Sequence, residues 1–220
     1  MFSSFLFQKD LNDIENSLLK CWASAYSERA LNYRLEAELG LSDIKMGVVI
    51  QKMVNSEISG VLFSKNPMNP LDNKSLIIDS VYGQCEGLVS GALDADHYKI
   101  DRESFEIESK LVTKEEMFTH ALETPGLVKV PVNVDMAKTS SLSDNQLKEL
   151  SSLALKIESY FNSPVDIEWA IEDDSIYVVQ SRPITTLPPS DFFDPEVNGD
   201  QPILWDNSNI VESFSGVTTP

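Results

Sequence analysis

Val165-Asp166-Ile167-Glu168-Trp169-Ala170-Ile171-Glu172-Asp173-Asp174-Ser175-Ile176-Tyr177-Val178-Val179-Gln180-Ser181-Arg182-Pro183 reads as two short strands around an acidic turn. The flanks are rich in Ile, Val, Trp and Tyr, and Asp173, Asp174 and Ser175 supply the turn chemistry. Alternate residues of a strand share a face, so Asp166, Glu168 and Ala170 point one way and Ile167, Trp169 and Ile171 the other. A three-residue loop, Asp173 to Ser175, places Glu168 opposite Gln180, Asp166 opposite Arg182, Trp169 opposite Val179 and Ile171 opposite Tyr177. A two-residue loop slips the pairing by one and mixes the faces, which burial of one side disfavours, so the three-residue loop is the expected register.

One face of this hairpin is then apolar, and the other carries two carboxylates, an amide and a guanidinium. A carboxylate beside a carboxamide oxygen is a hard-oxygen set of the kind that holds Mg²⁺ with waters and phosphates. A neighbouring Arg can grip phosphate in a forked geometry. The same residues also fit a solvated hairpin face with an Asp166–Arg182 surface ion pair.

Immediately upstream, Leu142 to Tyr160 has helical periodicity, capped by Ser143 or Asp144. Leu147, Leu150, Leu153 or Leu155, Ile157 and Tyr160 form the expected buried stripe. Phe161-Asn162-Ser163-Pro164 ends that helix and delivers the chain to the hairpin. Glu115 to Lys138 reads as a polar, irregular connection. Phe105 to Glu108 pairs with Asp94 to Asp101 as a hairpin, and Leu76 to Val81 is a strand. Met46 to Val54 is a dense β-forming run expected in mid-sheet, turning at Asn55-Ser56-Glu57 into a strand at Ser59 to Ser64. Leu11 to about Leu39 is helical, capped by Asp10 or Asn12 and ended by Gly40, with a break near Ser24 to Ser27. Arg29 and Arg34 fit a solvated helix face, and His97 and His120 fit structural roles.

The 220 residues carry 17 basic and 35 acidic side chains, a formal charge of −18, which disfavours nucleic acid or an anionic membrane as partner. Cys21 and Cys85 are the two cysteines, spaced like neither a metal site nor a disulfide framework. Reduced thiols in a cytoplasmic protein are the expectation. No stretch approaches a membrane span, and the start lacks the basic leader of a signal peptide.

Asp166-Ile167-Glu168-Trp169, followed by Gln180-Ser181-Arg182-Pro183-Ile184-Thr185, resembles the end of the nucleotide-binding domain of the phosphoenolpyruvate synthase, pyruvate phosphate dikinase and rifampin phosphotransferase family. Further likeness lies in Gln51-Lys52-Met53-Val54 with Ser59-Gly60-Val61-Leu62-Phe63, and in Gly83-Gln84-Cys85-Glu86 with Val89-Ser90-Gly91. In the last, Gln84-Cys85-Glu86-Gly87 departs from the commoner Leu-Gly-Glu core. The resemblance covers most of residues 10 to 187.

It implies an α/β (α+β) chain: an ATP-grasp C-terminal subdomain over 1–187, mostly antiparallel sheet with flanking helices and a helical lead-in at 10–40. Residues 188–220, which are Pro-containing and acidic, would be a linker toward a phosphohistidine domain. The implied cofactors are ATP and Mg²⁺. Glu168 and Gln180 are implied as metal ligands, Arg182 as a phosphate contact, Asp166 as a supporting acid, and Gln51, Lys52, Met53 and Val54 as backbone contacts to adenine. Glu86 is a candidate site residue. The implied activity is phosphoryl transfer from ATP to a histidine on a swivelling domain, then to pyruvate or another small acceptor. The partners are the N-terminal ATP-grasp half, the phosphohistidine domain and the acceptor domain of a parent chain, and a fragment alone is expected to be inactive. The alternative is a non-catalytic nucleotide-binding or assembly module of the same fold.

Overall fold

The structure, a computed structural model, describes residues 3–36, 39–40, 44–69, 71–121, 123 and 125–184. The proposed linker at 188–220 lies outside them. The chain divides into two units, residues 1–53 with 120–128, and residues 54–119 with 129–220.

The first unit is helical. Helix α1 (Leu11–Ser24) starts at Asp10, whose carboxylate accepts the N–H of Asp13 at 2.9 Å. The expected break follows, and α2 (Glu28–Glu36) resumes. Met46 to Met53 forms neither strand nor helix, and Val49 and Ile50 are 84% and 68% exposed. This corrects the expected mid-sheet strand, for a topological reason given below.

The second unit is built on a six-stranded antiparallel sheet. Its strands are β1 (Ile58–Phe63), β2 (Ser75–Tyr82), β3 (Asp96–Asp101), β4 (Ile107–Lys110), β7 (Val165–Glu172) and β8 (Ser175–Pro183), in the order β4-β3-β2-β1-β7-β8. Both neighbours of β1 are therefore taken, by β2 and β7. No ladder position beside β1 remains for the run that precedes it. β propensity expresses fit to a pleated, half-buried surface, and without a partner it does not make a strand. A second correction concerns Glu115 to Lys138, where β5 (Glu116–His120) and β6 (Leu127–Pro131) pair in a two-stranded sheet.

Helix α4 (Asp144–Phe161) covers one face of the large sheet. A capping box starts it, with the Ser143 hydroxyl on the Gln146 N–H and the Gln146 side chain on the Ser143 N–H. It ends at Asn162 in the left-handed conformation. Leu147, Leu150 and Ala154 pack on Ile78, Ile167 and Trp169. Tyr160, expected in the buried stripe, is 86% exposed, about 120° round the helix from Ala154.

Trp169 reaches across β1 at Gly60, its register partner. A Cβ on Gly60 would lie 2.0 Å from the Asp79 carbonyl oxygen and 2.6 Å from Trp169 Cζ2. Neither a backbone carbonyl nor a fully buried indole can retreat. Gly60→Ala is therefore expected to destabilise by about 3 kcal/mol, read as a lower urea midpoint at unchanged slope.

Candidate active site

The hairpin β7–β8 pairs Asp166 with Arg182 and Glu168 with Gln180, the two polar pairs expected from sequence. The route to that register differs. The loop has two residues, Asp173 and Asp174, both with positive φ (49° and 59°), and Glu172 pairs with Ser175. Such a turn suits the twist of the strands, and Asp tolerates the left-handed region better than most residues. Consequently Ile171 pairs with Ile176, Ala170 with Tyr177 and Trp169 with Val178, not with the partners expected. A bulge at Val179 on β8, opposite the Glu168–Trp169 step of β7, then restores the register. The bulge corrects the slip that a two-residue loop introduces, next to the polar pairs.

Ile167, Trp169 and Ile171 are almost wholly buried against α4, so Asp166 and Glu168 must stand on the other face. There Arg182 Nε donates to Asp166 Oδ2 at 2.9 Å, with Arg182 57% exposed and Asp166 14%. Glu168, half-buried, has no hydrogen bond or ion pair of its own among the described contacts. Burial, then the charge of Asp166, push its carboxyl above the usual range; Arg182 opposes this, and Glu86 adds to it. Glu86 opens the short helix α3 (Glu86–Val89) and is exposed. The structure thus brings Asp166, Glu168, Gln180, Arg182 and Glu86 into one electrostatic neighbourhood. Cys85 belongs to it too: burial, then Glu168, Glu86 and Asp166, hold its thiol protonated.

Register extends this face across the sheet as a row: Gln180, Glu168, Val61, Asp79, His97, Lys110. His97 Nδ1 lies 2.7 Å from Asp79 Oδ1, and this bond raises the imidazole pKa. Three strand spacings of about 4.8 Å separate His97 from Glu168, beyond the reach of a phosphate held at Glu168. The structure pairs His97 with Asp79 and sets it apart from Glu168. His120, in the first unit, stacks on Phe7 with ring centres 5.4 Å apart.

The four residues of the expected adenine run divide between the units: Gln51, Lys52 and Met53 belong to the first, Val54 to the second. The Val54 carbonyl accepts from Gln84 Nε2 at 3.0 Å. Gln84 was legible in the sequence only as a departure from the family pattern.

A carboxylate whose pKa stays raised despite the nearby Arg182, facing a carboxamide, fits a hard cation. Among the described residues no three or more His, Cys, Asp or Glu side chains are grouped to hold a metal ion. A cation here would be held by one acid and one amide, with the rest of its shell from water or phosphate. Nor, among the described residues, is any helix long and apolar enough to cross a membrane.

Residues 1–192 match the family described as pyruvate phosphate dikinase, AMP/ATP-binding domain. A rifampicin phosphotransferase of Bacillus cereus is 40% identical over 204 residues, covering 90% of this chain and 23% of that protein. A probable phosphoenolpyruvate synthase of Archaeoglobus fulgidus is 40% identical over 177 residues, 80% of this chain and 23% of its own length. The phosphoenolpyruvate synthase of Pyrococcus furiosus is 36% identical over 184 residues, 80% of this chain and 22% of its own. The chain thus spans less than a quarter of the length of these relatives. It belongs to the family of pyruvate phosphate dikinase AMP/ATP-binding domains.

Proposed function

We propose that this chain is the C-terminal part of an ATP-grasp domain that binds Mg·ATP and donates its γ-phosphoryl group. The receiver would be a histidine on a separate swivelling domain, and the final acceptor pyruvate or another small molecule. The observation that carries the reading is the register of β7 and β8. It sets Glu168 against Gln180 on one face, with Arg182 held by Asp166 beside them.

In this reading Glu168 and Gln180 would hold Mg²⁺, which would supply positive charge against the phosphates. Asp166 holds Arg182 from one side through Nε, so that the terminal nitrogens of the guanidinium can meet phosphate oxygens. Phosphoryl transfer asks little covalent work of the protein and much positioning and charge stabilisation, which is what this face offers. The backbone of Gln51, Lys52, Met53 and Val54 reads the adenine edge, and Glu86 stands at the rim of the carboxylate group. The N-terminal ATP-grasp half, the phosphohistidine domain and the acceptor domain complete the activity, and residues 1–220 alone are expected to turn over little or no ATP.

Arg182→Ala tests the assignment. The Arg182–Asp166 pair is exposed on the Arg182 side, so its loss should change stability by less than about 1 kcal/mol. In the full-length protein that carries these residues, ATP-dependent phosphoryl transfer should fall by about 10- to 100-fold. Wild-type transfer rates in this variant would remove Arg182 from the site.

A further inference from the structure

We propose that Gln84 is a positioning residue for the nucleotide base: it clamps the carbonyl of Val54 and so fixes where the Gln51–Val54 run ends. The inference rests on the assignment of that run to base recognition, and it names a side chain to which the family pattern gives no role.

Gln84 is 7% exposed, and both ends of its amide are engaged. Nε2 donates to the Val54 carbonyl at 3.0 Å, and Oε1 accepts from the Ser56 hydroxyl at 3.3 Å. Since Nε2 can only donate and a carbonyl can only accept, these partners fix the orientation of the amide. Val54 lies outside every strand ladder, so a side-chain bond to its carbonyl acts on backbone that the sheet does not hold.

The arm that carries this amide is rigid. The Gln84 N–H donates to the Phe118 carbonyl and the Gly83 N–H to the Glu57 carbonyl, both at 2.8 Å. The Ser59 hydroxyl donates to the Gly83 carbonyl at 2.6 Å. Gly83 has φ of +75°, and a Cβ there would sit 2.1 Å from the Phe118 oxygen, so the close approach needs glycine. One end of the clamp is thus built into the close of β2, and the other grips the last residue of the proposed base-reading run. Backbone recognition of a purine edge requires a donor and an acceptor held to within about 0.5 Å. Gln84 supplies that constraint at Val54.

The test uses the full-length protein carrying these residues, with Gln84→Met, which removes donor and acceptor at similar size, and Gln84→Glu, which keeps the acceptor but loses the donor. Steady-state phosphoryl transfer is measured against Mg·ATP concentration. Both variants should raise the KM for ATP by about tenfold while kcat changes by less than about twofold, as expected for a lost buried hydrogen bond that acts on binding alone. An unchanged KM overturns the proposal, and so does a fall in kcat that matches or exceeds the change in KM, which marks a merely structural role. Glu168→Ala, run alongside, separates the two levels. If it keeps wild-type kcat, or if the wild type transfers no phosphoryl group from ATP, the nucleotide reading fails irrespective of Gln84.

Discussion

Glu168→Ala is expected to lower ATP-dependent phosphoryl transfer by at least about a hundredfold in the full-length protein, while leaving the fold as stable as before or slightly more so. The two halves of this expectation come from the same observation. Glu168 is half-buried beside Asp166, its carboxyl is raised by burial and by that neighbour against the opposing charge of Arg182, and among the described residues it makes no hydrogen bond or ion pair. Such a carboxylate destabilises the metal-free fold at neutral pH. Sites of this kind persist because they serve a ligand, and neutralising them commonly trades function for stability. Glu168→Gln sharpens the test, because it keeps an oxygen ligand and the side-chain volume but loses the negative charge. Its unfolding midpoint should match or exceed that of the wild type, and its transfer rate should fall nearly as far as that of the alanine variant. Gln180→Ala should fall in the same direction with less effect, since under the proposed assignment it removes a neutral ligand. Full transfer activity in Glu168→Ala would sink the assignment, and so would a loss of stability large enough to explain the activity by unfolding.

The hairpin that carries this site was legible because two different signals agree along it. The alternation of Ile167, Trp169 and Ile171 with Asp166 and Glu168 states which face is buried, and the acidic turn states where the chain reverses. The polar pairs Asp166–Arg182 and Glu168–Gln180 follow from either a three-residue loop or a two-residue loop with one bulged residue. Sequence alone does not separate these, since the bulge has no composition of its own. The apolar pairs nearest the turn, which depend on the choice, came out shifted by one. Helix α4 was legible from its capping box and its stripe. The break between α1 and α2 was legible from Ser24-Ala25-Tyr26-Ser27.

Other elements were not legible, each for a physical reason. Met46 to Met53 has strand composition, but both ladder positions beside β1, the strand it leads into, are taken, and composition carries no information about vacancies in a sheet. β5 and β6 hide in a polar stretch because a two-stranded sheet buries little: within β6 no residue is fully buried. Gln84 is a polar residue whose importance lies in a carbonyl 30 positions away. The most costly omission is Lys114. Nothing in the sequence singles it out, yet its side chain is 2% exposed. A lysine is driven inside only where a partner waits, and that partner, Asp96, is 18 residues upstream.

Asp96→Asn should destabilise the protein by about 3–5 kcal/mol, the loss expected when one member of a buried ion pair is removed and the other is left charged. Asp96 is fully buried and Lys114 nearly so, with Nζ 2.7 Å and 2.8 Å from the two carboxylate oxygens. The acid has other donors: the Val112 N–H at 3.0 Å, the Ser141 N–H at 2.9 Å and the Ser141 hydroxyl at 2.8 Å. Among the described residues the ammonium has only the carboxylate and the Val112 carbonyl at 3.2 Å, with the Tyr82 ring 5.6 Å from Nζ. The pair is therefore asymmetric. Lys114→Met leaves a carboxylate still held by these donors and by the Tyr98 hydroxyl at 3.4 Å, and should cost less than Asp96→Asn, which strands an ammonium. Lys114→Met combined with Asp96→Asn should lie closer to the wild type than Asp96→Asn alone, a coupling that a double-mutant cycle reads directly. The pH dependence has a definite sign. Burial pushes the Asp96 carboxyl up, but the hydrogen bonds from Lys114, Val112 and Ser141 outweigh it and bring the folded pKa below the ordinary value of 3.8. A depressed folded pKa gives stability that is complete above the unfolded pKa and is lost as pH falls through the folded one. Acid titration of the unfolding midpoint should therefore show a limb below about pH 4 that shrinks in Asp96→Asn. If Asp96→Asn unfolds within about 1 kcal/mol of the wild type at neutral pH, the carboxylate does not anchor β3 to the residues that precede α4.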